Sequence, residues 1–401
     1  FFMNAPVYVA GLGVVSAIGN DANACLKAFH AEQAGMDEIR LLRTLQKGKL
    51  PVAEVRLDNP ALAELTGLSF QTPRTALLSA LAAREALNDA GIENLKDIRT
   101  GFISANTVGG MDKTEDFFEY FMRNAGSGRL RDVVYHECGA ITEILADLLG
   151  IKHFISTVST ACSSSANAIF TAARMIKNGL LDIALAGGAD ALTRFTLNGF
   201  NTLMILDKAF CKPFDENRHG LNLGEGAGYL LLASERMMKQ LNKVPYCSIS
   251  GYSNANDAYH QTASSPEGTG SFLAMKNALA LSGLQPGDID YINLHGTGTT
   301  NNDIAEGTAI KLLFDPVYPK MSSTKSFTGH TLGASGGIEA VFSALAIRHG
   351  IIYPNLRFET PMKELPFTPE TKFLADQRVR NVLSNSFGFG GNCSSLIFSA
   401  A

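Results

Sequence analysis

Apolar and polar positions fall in long blocks along this chain. Residues 7–18, V-Y-V-A-G-L-G-V-V-S-A-I, are an almost unbroken apolar run, the pattern of a strand covered on both faces. Residues 72–90 carry apolar side chains at helical spacing and stop at Gly91, which predicts an amphipathic helix. A strand over 98–105 follows, then a turn through Thr107-Val108-Gly109-Gly110. Residues 112–132 mix aromatics with Arg123, Arg129 and Arg131 and read as a cap. The spacing predicts a helix over 166–177 and buried strands over 183–188 and 229–233. Past a connector at 235–243 the pattern restarts, with a strand at 247–252, a helix at 270–282 and a strand at 290–294 that runs into a glycine turn and a helix. This is a weak internal echo of the first half, not a short repeat. The alternation places the chain in the α/β class, with sheets covered by helices.

Composition narrows this picture. A chain of 401 residues, 46% hydrophobic and 18% charged, has room for two domains or one large two-part core. Its formal charge of -4 gives no reason to expect nucleic acid or an anionic membrane as a partner. No apolar run approaches bilayer length, no signal segment is read at the start, and Met3, behind Phe1-Phe2, reads as the native start. The six cysteines are scattered without a CxxC, which fits a reduced cytoplasmic protein better than a disulfide framework or a zinc site. Gly11-Leu12-Gly13 opens a dinucleotide fingerprint, but Ser16 stands where its third glycine belongs. The simpler reading is a strand end that needs tight backbone approach.

The candidate chemistry lies in four stretches. In S-T-V-S-T-A-C-S-S-S, residues 156–165, Cys162 sits among small residues between an apolar segment and a helix. A helix N-terminus there favours thiolate over thiol, so Cys162 reads as a nucleophile as readily as a buried free cysteine. In N-L-H-G-T-G-T, residues 293–299, His295 stands at the end of a strand among residues a ligand can approach. Asp303 and Glu306 follow in D-x-x-E spacing, which reads as a helix cap. In K-S-F-T-G-H, residues 325–330, Lys325 and His330 precede a Gly/Ala-rich stretch and a helix carrying Glu339, a polar cluster held against close-packed backbone. Residues 384–391, N-terminally a strand, end in the glycine loop G-F-G-G, whose N–H groups can serve as an oxyanion hole or simply close a tight turn.

In this order, the four pieces resemble the elongating β-ketoacyl-acyl carrier protein synthases. C-K-P-F-D-E-N-R-H-G, L-G-E-G-A-G and D-A-Y-H-Q-T support the likeness, which runs from Val7 to Phe398. The resemblance implies a thiolase-like five-layer α-β-α-β-α sandwich made of two similar halves, here 3–240 and 241–401, in a homodimer or a heterodimer. It implies a decarboxylative Claisen condensation in which Cys162 takes an acyl chain from acyl carrier protein. His295 and His330 then assist decarboxylation of the malonyl thioester and stabilise the enolate. Lys325 is implied as the supporting lysine and Glu339 as its partner. The N–H groups of Cys162 and Phe389 become the oxyanion hole, and Phe389 also the gate of the acyl pocket. Thr297 and Thr299 would bind the phosphopantetheine arm, and Thr107 and Val108 would line the acyl pocket. No metal or redox cofactor is demanded, since the substrates ride on the phosphopantetheine of acyl carrier protein. Its acidic surface points to a basic patch, for which Arg123, Arg129, Arg131 and Lys208 are candidates.

The Cys-His-His set separates the chain from initiating synthases, from chain-length factors that lack the nucleophile, and from degradative thiolases with a second active cysteine. Cys393, after G-G-N, reads as a packing variation. Four departures from the family pattern leave a fatty-acid and an aryl-polyene or similar pathway both open. The segment between Asn201 and Cys211 is short, Lys212 stands where arginine is frequent, and His219 where aspartate is frequent. Asn301-Asn302-Asp303 replaces the common glycine-aspartate ending.

Overall fold

The computed structural model describes residues 6–95 and 97–401, so Met3 lies outside the described residues. The first half runs β1 (Val7–Ser16), α1 (Arg74–Ala90), β2 (Thr100–Ala105), α2 (Met111–Arg123), α3 (Cys138–Leu149), β3 (Phe154–Val158), α4 (Ser164–Lys177), β4 (Ile183–Asp190) and β5 (Gly226–Ser234). The second runs β6 (Ser248–Asn256), α5 (Thr269–Ser282), β7 (Tyr291–Asn293), α6 (Thr300–Phe314), β8 (Lys320–Ser322), α7 (Ser335–His349), β9 (Asn381–Phe387) and β10 (Asn392–Ser399). With α2, the helices Ala22–His30, Asn59–Thr66, Arg194–Thr202 and Glu235–Leu241 and the shortest elements set aside, both halves follow one order, β-α-β-α-β-α-β-β. The echo in the sequence is therefore a structural repeat.

The strands form one ladder in the order β8-β7-β9-β10-β6-β1-β5-β4-β2-β3. In each half three of the four strands joined through helices pair in parallel, β2 with β3 and β4, and β7 with β8 and β9, and the last strand is antiparallel to its neighbours. The halves meet where Tyr8 pairs with Ser248, and Val9 N–H donates to the Cys247 carbonyl at 2.9 Å. Helices α4 and α7 touch strands of both halves and each other, which makes them the middle layer. Helices α1 and α3 cover the far face of the first half, and α5 and α6 that of the second. This is the five-layer α-β-α-β-α sandwich that the resemblance implied.

Side-chain size explains the layers. Every residue from Ser335 to Ala346 of α7 is buried, as a helix between two sheets must be. Its Ile338, Val341, Phe342 and Leu345 share a core with Ile169, Ala172 and Ile176 of α4. Burying each large aliphatic or aromatic side chain stabilises the fold by roughly 1.5–3 kcal/mol. Small residues let backbones close in. A Cβ on Gly228 of β5 would stand 2.3 Å from Ile338 N, so α7 rests directly on the strand. Gly11 and Gly13 do the same in β1, where a Cβ would come within 2.3 Å and 2.1 Å of the Ala86 and Ala82 carbonyl oxygens of α1. They lie inside the strand rather than at its end, and their role is helix-on-strand packing. Among the described residues no helix is long and apolar enough to cross a membrane.

Candidate active site

The four sequence stretches follow the C-terminal ends of β3, β7, β8 and β9, and the topology brings them together. Between β3 and α4 the chain turns sharply, with Ala161 at φ +51. Cys162 follows and lines a cavity of about 230 Å³. Ser163 Oγ donates to the Thr160 carbonyl at 2.7 Å, and Ser164 Oγ to that of Ala161 at 2.6 Å. Asn167 Nδ2 donates to Thr160 Oγ1 at 2.8 Å and to Asn392 Oδ1 at 2.9 Å. Asn392 follows the glycine loop directly, so this network ties the cysteine turn to the loop across the two halves. The sequence reading gave Asn167 and Asn392 no role. Their one signal is an amide set inside an apolar helix or strand.

His330 Nε2 lies 3.0 Å from Cys162 Sγ, and its Nδ1 lies 3.0 Å from Ser335 Oγ. The His295 ring stands edge-on to it, with centroids 5.4 Å apart. Lys325 Nζ is 3.3 Å from His295 Nδ1 and forms a fully buried ion pair with Glu339. An ammonium has only donors, so His295 Nδ1 accepts and its proton sits on Nε2. Asp303 and Glu306 are not the helix cap that their spacing predicts. Thr299 caps α6, its Oγ1 accepting from Asn302 N–H at 3.4 Å. Glu306 instead accepts from the N–H groups of His295 and Gly296 at 2.9 Å and 2.8 Å, and from Asn385 Nδ2 at 3.0 Å. Asp303 accepts from Phe214 N–H at 2.7 Å and Gly298 N–H at 3.2 Å. Both carboxylates shape the histidine loop from inside.

The N–H groups of Cys162 and Phe389 are near enough to the Cys162 sulfur to favour its charged form. Gly388 makes this approach possible, because a Cβ there would stand 3.1 Å from Cys162 N. Phe389 stacks on Phe200, from the helix Arg194–Thr202, with centroids 5.7 Å apart. Both rings line the cavity, along with Met204 and Leu221. Thr297 and Thr299 also line it, their hydroxyls 2.9 Å apart, and His219, Asn301 and Asn302 add polar wall. Thr107 and Val108 are not among the lining residues. Thr107 is bonded through N–H and Oγ1 to the buried Asp190, at 2.9 Å and 2.7 Å. Val108 packs behind the wall in a cluster that includes Leu221 and Phe200. Cys393 is buried beside Ala274 and Phe387, behind the cavity wall, and is not itself a lining residue. Of the basic candidates, Arg123 and Arg129 pair with Glu119 and Asp132.

Burial sets the charge states. Desolvation pushes the Cys162 thiol up to about 11, against the pull of Lys325 and the two N–H groups. Loss of water thus works against the thiolate that the helix start favours. Desolvation, reinforced by Lys325, holds His295 and His330 well below the ordinary histidine value, so both rings are neutral. The site pairs a thiol with a neutral base, and keeps two neutral imidazoles facing a cavity.

Comparison with known proteins agrees with this geometry. Residues 4–237 match the family "Beta-ketoacyl synthase, N-terminal domain", and residues 246–359 match "Beta-ketoacyl synthase, C-terminal domain". A "3-oxoacyl-[acyl-carrier-protein] synthase 2" of Coxiella burnetii is 34% identical over 411 residues, covering 98% of both chains. A structure described as "The ishigamide ketosynthase/chain length factor" superposes with a TM-score of 0.93 at 28% identity, covering 99% of both chains. Another, of a type II polyketide synthase acyl-carrier protein in complex with its ketosynthase, superposes with a TM-score of 0.88 at 25% identity, again covering 99% of both. With both family domains matched in sequence order and the Cys-His-His cluster assembled between its halves, the chain belongs to the β-ketoacyl synthase family of condensing acyltransferases.

Proposed function

We propose that Cys162, His330 and His295 carry out the condensation in this chain, with an acyl chain delivered by acyl carrier protein and extended by a malonyl unit. The observation that carries this reading is the convergence of one thiol, two neutral imidazoles and two N–H groups on one cavity. In the first half-reaction the Cys162 sulfur adds to the acyl thioester carbonyl while its proton passes to His330 Nε2, and the carrier thiolate leaves and takes a proton from solvent. The N–H groups of Cys162 and Phe389 receive the oxygen that becomes negative. In the second, the malonyl thioester loses CO2, and the enolate oxygen is held by the ring nitrogens of His295 and His330. Its carbon attacks the Cys162 thioester, and the sulfur leaves and takes back its proton from His330 Nε2. Lys325 fixes the His295 tautomer, and Glu339 balances the lysine charge. No metal or redox cofactor takes part in this sequence. Thr297 and Thr299 line the path a phosphopantetheine arm would follow.

The surface supports a paired assembly. Strand β3 ends the ladder with one edge unpaired, and its Ile155 is exposed. Phe118, Phe121 and Met122 of α2 are exposed as well, with Leu130 and Val134 beyond it. A second ketosynthase-fold chain, identical or related, would cover this edge and these side chains. Six free cysteines suit the cytoplasm.

Malonyl- and acyl-carrier proteins of graded length, including one polyene-type primer, test the reading. Product that forms with the wild-type protein and not with Cys162→Ala supports it, and the preferred primer separates a fatty-acid from a polyene role. Equal product from both proteins contradicts it, and no product with any primer points to a missing partner chain.

A further inference from the structure

We infer that Cys162, His295 and His330 also form a capture site for a thiophilic divalent cation such as Zn2+, which blocks the nucleophile. One ligating atom from each residue lies within 4.8 Å of the others, and all three side chains are buried. A sulfur and two imidazole nitrogens are a zinc donor set, and three protein ligands with one open position are the usual form of an accessible zinc site. Zinc–sulfur and zinc–nitrogen bonds of ordinary length place such atoms roughly 3.3–3.6 Å apart, so the wider separations need to close by up to about an ångström, while His330 Nε2 and Cys162 Sγ, 3.0 Å apart, need to open slightly. All three residues line the same cavity, which gives the ion a route in and leaves its fourth position open to water.

The charges around the three residues both favour and oppose capture. The rings are neutral, but Lys325 occupies His295 Nδ1, so His295 ligates only when Lys325 turns away and the ring proton moves from Nε2 to Nδ1. The Cys162 thiol exchanges its proton for the metal: the S–H bond breaks, the S–metal bond forms, and the proton leaves to solvent. Lys325 opposes a cation, being 3.3 Å from His295 Nδ1, but its ion pair with Glu339 offsets that charge. Asp190 adds a second carboxyl close enough to act on the thiol. Such an ion competes with acylation, because sulfur bonded to metal cannot add to a thioester. This site stands on the side-chain geometry alone, whatever the acyl substrate.

Titration of the purified protein with Co2+ tests the inference without an activity assay, since a cobalt–thiolate bond gives a charge-transfer absorption band. The expected result is one ion per chain, a band with wild type, no band with Cys162→Ala, and at least tenfold weaker binding by His330→Ala. Lys325→Met, which removes the opposing charge, should bind more tightly. Circular dichroism would confirm that each variant is folded. Prior acylation of Cys162 should abolish the band, and a chelator should restore the free protein. No band with wild type, or equal binding by wild type and Cys162→Ala, would overturn the site.

Discussion

The resting protonation state of Cys162 is the sharpest statement at the residue scale. Burial disfavours the charged form, so its thiol lies above the ordinary cysteine value, at about 11. Thiolate therefore increases as pH rises and does not saturate near 9. The rate of inactivation by iodoacetamide should climb about tenfold per pH unit from 7 to 10 in proportion to thiolate. A plateau near pH 8 would show that the helix start and Lys325 outweigh desolvation after all. Lys325 gives a second test. Truncating it to Ala strands the Glu339 carboxylate in a dry site, which costs about 3–5 kcal/mol for a broken buried pair. Thermal unfolding should fall steeply in Lys325→Ala, and much less in the paired Lys325→Met, Glu339→Met variant. Equal losses would place the pair outside the folding balance. These residues were legible in the sequence as types in a motif. Their charge states were not, because desolvation depends on what the fold packs around them. The same limit hid Glu306. Its spacing suited a helix cap, but only the folded loop brings the His295 and Gly296 N–H groups to it.

Among the elements, the chain announced its strands and helices through period and length. The apolar run of β1 and the amphipathic stretch of α1 were visible without a structure, and the small residues of α7 told of close packing. Gly11 and Gly13 were legible as close-approach residues, but the helix that presses on them was not. Gly228 offers the test at this scale. A methyl group there meets the backbone of Gly337 and Ile338 and has to lift the start of α7. Gly228→Ala should destabilise the protein by about 1–3 kcal/mol, the cost of overpacking. It should also lower turnover more than it raises KM, because α7 carries the Ser335 that holds His330. Unchanged stability and turnover would mean that the strand yields instead of the helix.

Across the whole molecule, the sequence showed an echo, but not how the two halves join. The Tyr8–Ser248 pair spans 240 positions of sequence, and nothing local encodes it. The exposed apolar side chains of α2 and the bare edge of β3 belong to this scale too. Sedimentation should find two chains together at micromolar concentration for the wild-type protein. Ile155→Lys combined with Phe118→Lys should shift it toward single chains, since charge on an edge strand blocks pairing. A wild-type protein that stays monomeric would show that its partner is a different chain. The cavity between the halves depends on all of this, because its thiol comes from one half and its imidazoles from the other.

Acyl transfer to Cys162 tests the account most directly. The protein would be mixed with one acyl-carrier protein in the absence of malonyl-carrier protein, and the intact chain weighed. The expected result is a mass gain equal to one acyl group, mapped to the peptide containing Cys162 and absent from Cys162→Ala. An acyl group carried by any other residue, or an adduct that survives the substitution, would contradict it.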